Sequence, residues 1–221
     1  VAQGMPDLVS ASSGGTVAGL MMVGIHPDTN SLYALSNNEV GGWGATSSYD
    51  GASGLQHPSA PLVRNTPVEV LESRTGMLIE RLELLTDSGG PGKFRGGLGV
   101  RRDIRFISDG EILSVMKKSK TKNWGLAGGW GTDPSGLYMF PGTDKAQRVG
   151  TRRFAVKKDE SCYMKTAGGG GYGDPKERDP QMVLEDVLDG FISTEAARSI
   201  YSVALSGQKV NIEATKRLRA S

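Results

Sequence analysis

Clustered glycine constrains this chain more than any other feature of its sequence. Glycine supplies 32 of the 221 residues, roughly twice its ~7% share of an average soluble protein. The glycines follow no collagen-like period, so they read as tight turns and as places where one backbone passes close to another. Two runs dominate, residues 87–99 (DSGGPGKFRGGLG) and 167–175 (AGGGGYGDP). Four consecutive glycines lose much backbone entropy on ordering. Residues 168–171 therefore require a close backbone crossing, a bend into the segment that follows, or a ligand lying over bare peptide.

The remaining composition is lean in core material. Hydrophobic residues make up 37% and aromatics 6%, so contacts with partner chains are expected to supply part of the stability. The 26 Lys and Arg against 24 Asp and Glu leave a net charge of +2, a field too weak to draw nucleic acid or an acidic membrane surface. The basic run at residues 117–122 (KKSKTK), ahead of Trp124 and Trp130, accordingly reads as a solvated loop and not as an RNA-binding element. A lone cysteine, Cys162, rules out an internal disulfide and fits a reducing compartment. With no histidine nearby in sequence it reads as a packing residue. The longest apolar stretch, residues 17–25, is interrupted by Gly19 and Gly24 and falls short of the ~20 residues that span a bilayer. No signal-peptide pattern opens the chain, and a cytoplasmic location is expected. The start at Val1 suits a processed product, a fragment, or a subunit whose true start lies upstream.

The expected fold class is α+β: a β-rich, turn-laden region followed by short helices. Residues 16–25 and 31–36 read as buried strands, and residues 40–59 as a long loop carrying Trp43, Tyr49 and Asp50. Residues 68–71 read as a short extended apolar run. Residues 78–85 alternate with charge on both faces, as an edge strand does. Residues 99–107 and 111–116 suggest a hairpin turning at residues 108–110, with further strands at 151–156 and 161–165. Asp179 followed by Pro180 caps a helix ending near Gly190, Ser193 caps a second, and Asn211 caps a third that ends in basic residues.

Chemistry-bearing groups are sparse. Asp50, His57 and Glu69 are the candidate catalytic residues, and Ser88, Lys93 and Arg95 the candidate cofactor-binding residues. Glycines of the 87–99 loop let backbone N–H groups converge on an anion, with Lys93 and Arg95 adding charge; the same cluster also reads as a structural turn. It is not a Walker A loop, because Phe94 follows Lys93. Glu69 and Glu72, taken as part of an extended segment, point to opposite faces, which argues against a cooperating carboxylate pair. His26 and His57 each precede a proline in a loop, and no metal-ligand spacing occurs, so no metal site is expected wholly within this chain.

Several segments, taken in order, resemble the carboxy-terminal half of the hydantoinase B family: residues 65–72 (NTPVEVLE), 87–99, 124–129 (WGLAGG), 168–175, 178–180 (RDP), 186–197 (DVLDGFISTEAA) and 201–203. That family includes B-type subunits or regions of ATP-dependent N-methylhydantoinases, 5-oxoprolinases and caprolactamases, and of acetone and acetophenone carboxylases. The resemblance implies a multi-subunit enzyme in which an A-type partner binds ATP and Mg and phosphorylates a carbonyl or enolate oxygen. The B-type part then helps hydrolyse an activated lactam or carboxylate an activated ketone. It also implies a second partner, a chain carrying the amino-terminal half of the B-type subunit with its divalent metal, because nothing here matches the family's His/Asp-containing metal motif. On this reading residues 1–62 are the glycine-rich part of an incomplete catalytic domain, 63–175 a β-rich region and 176–221 a helical segment. Residues 41–51 resemble the family's glycine-rich loop ending in Asp-Gly, which singles out Asp50. Residues 117–123 stand where many members have a shorter arginine-proline stretch, and this leaves the substrate class open. A cyclic-amide hydrolase comes first, a ketone carboxylase second and a non-catalytic assembly subunit third.

Overall fold

The structure, a computed structural model, describes residues 1–2, 4–15, 18–56 and 65–220. Among the described residues, nine strands make two antiparallel sheets. One contains β1 (Ala18–Ile25), β2 (Leu32–Glu39), β5 (Gly110–Met116) and β8 (Arg152–Val156), in the order β2-β1-β5-β8. The other contains β3 (Met77–Leu84), β4 (Val100–Phe106), β6 (Gly136–Met139), β7 (Gln147–Val149) and β9 (Ser161–Lys165), in the order β3-β4-β9-β6-β7. Their inner faces meet in one core, with Leu20, Met22 and Ile112 from the first sheet and Ile104, Phe106 and Met164 from the second. Period-two patterning produces this directly: β4 buries every second side chain from Val100 to Phe106.

Residues 99–107 and 111–116 do not form the expected hairpin. β4 pairs with β3 and β9, whereas β5 pairs with β1 and β8. The turn between them carries the chain from one sheet to the other, and residues 157–160 do the same between β8 and β9. Both strands have one apolar face, and a corner lets these faces oppose each other across the core where a flat hairpin would leave them side by side. The two corners are tied together: Lys157 Nζ lies 2.8 Å from Asp109, whose other oxygen accepts the Lys158 amide at 2.9 Å.

The segment at residues 68–71, expected to be extended, belongs to a helix, α1 (Val68–Arg74). Glu69 in its first turn and Arg74 in its last suit the helix dipole. Leu71 is its one buried residue, a demand that a helical turn meets without a sheet partner. Glu69 and Glu72 are therefore three apart on a helix and share a face, correcting the opposite-face expectation. Strands β6 and β7 had no clear sequence signal, nor did the small hairpin of β10 (Leu205–Ser206) and β11 (Lys209–Val210). Strand β3 is an edge with Leu82 43% and Leu84 41% exposed, and a bulge between Ile79 and Arg81 breaks its alternation.

At the carboxy end, α2 (Pro180–Leu188), α3 (Thr194–Ser199) and α4 (Ile212–Ala220) begin at side-chain caps. Asp179 accepts from the Gln181 amide at 2.8 Å, Ser193 from Ala196 at 3.0 Å and Asn211 from Ala214 at 3.0 Å. Val183, Ile192, Ala197, Tyr201 and Val203 form a second apolar cluster there. Among the described residues, no helix is long and apolar enough to cross a membrane.

Between the sheets and these helices the glycine runs build a bundle of extended segments. Its central segment is residues 167–173, and the partner of its backbone changes with every residue. Gly168 O accepts from the Asn123 and Thr132 side chains. Gly169 bonds Gly97 and Gly90, Gly170 bonds Ser12 and Ala45, Gly171 bonds Trp130 and Leu126, and Tyr172 bonds Phe94 through both N and O. Gly168 and Gly171 thus face residues 123–132, while Gly169 and Tyr172 face residues 90–97. That three-residue recurrence is the period of a polyproline II helix, which makes no internal hydrogen bonds and must find its partners laterally. The packing leaves no room for side chains. A Cβ on Gly169 would lie 1.8 Å from Trp43 O, and one on Gly42 would lie 1.9 Å from Gly97 O. Of the three reasons that four consecutive glycines required, the close backbone crossing is one that the structure shows.

Candidate functional site

Asp50 sits where the bundle meets the carboxy-terminal helices. Its Oδ1 accepts from the Arg95 amide at 2.7 Å, and both its oxygens pair with Arg178 at 2.7 Å. Arg178 also reaches Asp186 on α2 at 2.8 Å, and Asp186 in turn lies 3.2 Å from Arg95 Nε. Two carboxylates and two guanidiniums therefore interlock, and Arg178 is only 1% exposed. Burial alone would pull the Arg178 guanidinium down, but the hydrogen bonds and charge of Asp50, with the charge of Asp186, hold it above its ordinary value. Tyr201 packs beside this cluster with its hydroxyl unpartnered among the described residues, and burial pushes that phenol up.

The other sequence candidates scatter. Glu69 is exposed on α1. Lys93 is half exposed and lies 3.7 Å from Glu177. His57 lies outside the described residues. Only Asp50 and Arg95 are brought together. The 87–99 loop offers few free donors to an anion, because every backbone amide from Lys93 to Gly99 already has a partner within the chain: Gly173, Tyr172, Asp50, Gly90, Trp43, Ser53 and Ser88 in turn. Among the described residues, no group of three or more His, Cys, Asp or Glu side chains is placed to hold a metal ion.

Ser88 has a different setting. Its hydroxyl donates to Leu85 O and accepts from the Gly99 amide at 2.9 Å. This fixes one wall of a cleft of about 420 Å³ lined also by Asp87, Thr132, Tyr138 and Lys165. Another part of the lining is held by Thr132, which donates to Gly168 O at 2.9 Å. Both are thus anchored to the bundle.

A second ionic pair had not been expected from the sequence. Glu39, at the end of β2, and Arg102, on β4, meet at 3.0 Å between the two sheets, each 2% exposed. Burial pushes the Glu39 carboxyl up to about 7, against the opposing pulls of Arg102 and of the Asn37 amide at 2.8 Å. Among the described residues, Glu39 Oε2 and Arg102 Nε and Nη2 have no hydrogen-bond partner. The signal available was polar residues continuing the alternation of β2 past residue 36, where the expected strand stopped.

The family model for hydantoinase B/oxoprolinase matches residues 1–175, and the chain belongs to that family. It is 30% identical over 224 residues, 99% of its own length, to the B-type subunit of a putative D-/L-hydantoinase from Pseudomonas sp. (strain NS671), and spans 37% of that protein. It is 36% identical over 159 residues, 70% of its length, to an uncharacterized protein, MJ0963, of Methanocaldococcus jannaschii, and spans 28% of it. All of the chain superposes on 40% of the ATP-dependent caprolactamase structure from Pseudomonas jessenii, with a TM-score of 0.83 at 26% identity. A nucleotide-free acetone carboxylase structure shares the fold over 95% of this chain and 33% of its own, with a TM-score of 0.80 at 21% identity. The chain thus spans well under half the length of each of these relatives.

Proposed function

We propose that this chain is the carboxy-terminal portion of a B-type subunit in an ATP-dependent cyclic-amide hydrolase complex. The observation that carries this reading is likeness along the entire chain, both to the B-type subunit of a hydantoinase and to the caprolactamase structure. In that complex an A-type partner binds ATP and Mg and activates the amide oxygen, and the amino-terminal portion of the B-type subunit holds any divalent metal. The setting is the cytoplasm. Asp50 and Arg95 act as positioning residues, fixing the helical segment on the bundle through Arg178. Ser88 shapes the cleft. Lys93 and Glu69, which face solvent, are the candidate residues free to meet a ligand or a partner chain.

The test is reconstitution of this chain with the A-type partner and the rest of the B-type subunit, followed by assay of ATP consumption against ring opening of hydantoin, 5-oxoproline and caprolactam. ATP hydrolysis coupled to opening of one of these rings supports the reading. Bicarbonate-dependent consumption of a ketone would instead establish the carboxylase alternative, which is favoured by 26% identity over 215 residues to an acetophenone carboxylase delta subunit from Aromatoleum aromaticum. An Asp50→Asn complex that assembles and turns over normally would leave the cluster a purely scaffolding role.

A further inference from the structure

The geometry points to the cleft beside Ser88 as a binding site for a small organic monocarboxylate, with Lys165 as the residue that recognises its charge and Tyr138 as the surface against which its body rests. This does not depend on which reaction the complex carries out. A volume of about 420 Å³ lies within the ~300–1,000 Å³ of small-molecule sites, and the walls are pre-formed by the Ser88 and Thr132 hydrogen bonds.

Lys165 supplies the charge. It ends β9 on the outer face of the sheet, and among the described residues its ammonium makes no hydrogen bond or ion pair. It lies 5.8 Å from the centre of the Tyr163 ring. Nearby charges are otherwise occupied. Arg101, across from Lys165 on β4, is held by Asp103 at 2.7 and 2.9 Å. Asp87 receives the Ser193 amide at 2.8 Å, and Asp133 pairs with Lys122 at 3.1 Å. On its other side Lys165 faces Gly136 of β6, where the missing side chain lets Arg148 and Tyr138 lie close over that strand. A Cβ there would come within 2.8 Å of Arg148 Nε and 3.0 Å of Tyr138 Cε2. Arg148 bonds the Ser119 and Ser135 carbonyls, each at 2.9 Å, and adds positive potential with no carboxylate paired to it among the described residues.

Tyr138 supplies the surface. Its ring stacks on Tyr163 at 4.6 Å with an interplanar angle of 11°, so it is held flat beside the lysine. The choice of a monocarboxylate over phosphate rests on donor count. Phosphate sites converge several N–H groups or an Arg fork. Here one ammonium faces the cleft, the amides of the 93–99 segment are already bonded, and two carboxylates on the rim disfavour a dianion.

The experiment is calorimetric titration of the full chain with benzoate, with benzamide as the neutral isostere and inorganic phosphate as the competing anion. Benzoate is expected to bind saturably with a Kd near ~1 mM, and benzamide at least roughly tenfold more weakly, the loss of one charge-assisted bond. Lys165→Met should lower benzoate affinity by about tenfold or more, and Lys165→Arg should restore most of it. In a parallel amide-shift map of the unsubstituted chain, changes should gather at Thr132, Tyr138 and Gly168. Absence of saturation by about 20 mM, equal affinity for phosphate and benzoate, unchanged affinity in Lys165→Met, or shifts centred elsewhere would each overturn the assignment.

Discussion

Replacing Gly169 with alanine is the sharpest test of the bundle. The new methyl would sit 1.8 Å from Trp43 O, 2.1 Å from Trp43 C and 2.6 Å from Gly44 N, all backbone atoms that no rotamer change can move aside. Relief requires separating two segments, which endangers the Gly169–Gly97, Gly90–Gly169 and Gly97–Trp43 backbone bonds. Three bonds at about 1 kcal/mol each, with about 1 kcal/mol of residual overlap, give a loss of about 4 kcal/mol. For a chain of this length that lowers Tm by roughly 10 °C. Two controls separate crowding from the generic cost of a methyl group. Gly150 has nothing within 4 Å, so Gly150→Ala should change stability by less than about 0.5 kcal/mol. Gly190 is equally open but has φ +74, so its substitution should cost about 1 kcal/mol through backbone strain alone. Differential scanning calorimetry on the three variants decides the matter. A Gly169→Ala Tm matching that of Gly150→Ala would refute the close-crossing account.

Arg178→Met should be destabilising by about 3–5 kcal/mol, because it takes the guanidinium from Asp50 and leaves the buried Asp186 carboxylate with Arg95 alone. Adding Asp186→Leu should recover part of that loss in urea denaturation, and strict additivity of the two would count against the interlocked cluster. Glu39 makes stability depend on pH. Its folded pKa of about 7 lies above the ordinary value of 4.5, so the folded state binds the proton more tightly, and the resulting stability is complete below pH 4.5 and lost as the pH rises through 7. The decline amounts to about 3 kcal/mol across that window. Glu39→Gln should flatten it, which urea midpoints at about pH 5 and 8 would measure. Burial pushes the Cys162 thiol up to about 12, so iodoacetamide at about pH 8 should label it only on the unfolding timescale; immediate native labelling would contradict its place in the core.

Local rules made much of this fold legible. The alternation of residues 100–106 and 161–165 marked which faces are buried, and Asp179, Ser193 and Asn211 announced their helices through capping chemistry that acts within three residues. What stayed hidden was long-range. Nothing near residues 108–110 says whether a turn closes a hairpin or rounds a corner between sheets, because that depends on β1 and β9. α1 was hidden by valines at positions 68 and 70, whose extended preference a short surface helix overrides. Asp50 was found through its glycine-rich surroundings, but its partner Arg178, and Asp186 on the far side of that arginine, lie more than a hundred residues away and looked like ordinary residues of the helical segment. Lys165 and Tyr138 are single residues at strand positions whose juxtaposition only the sheet order reveals.

The bundle also sets apart two common measures of order. Its segments are neither helix nor strand, so a far-ultraviolet circular dichroism spectrum counts residues 88–99 and 167–173 with the coil. Their amides, however, are held by lateral bonds to several stretches of chain, and the exchange of any one with solvent requires more than one of those stretches to part together. Spectroscopically this part of the molecule is silent, while in hydrogen exchange it is expected to be among the slowest parts of the chain. For this protein, low regular secondary structure is therefore no measure of looseness.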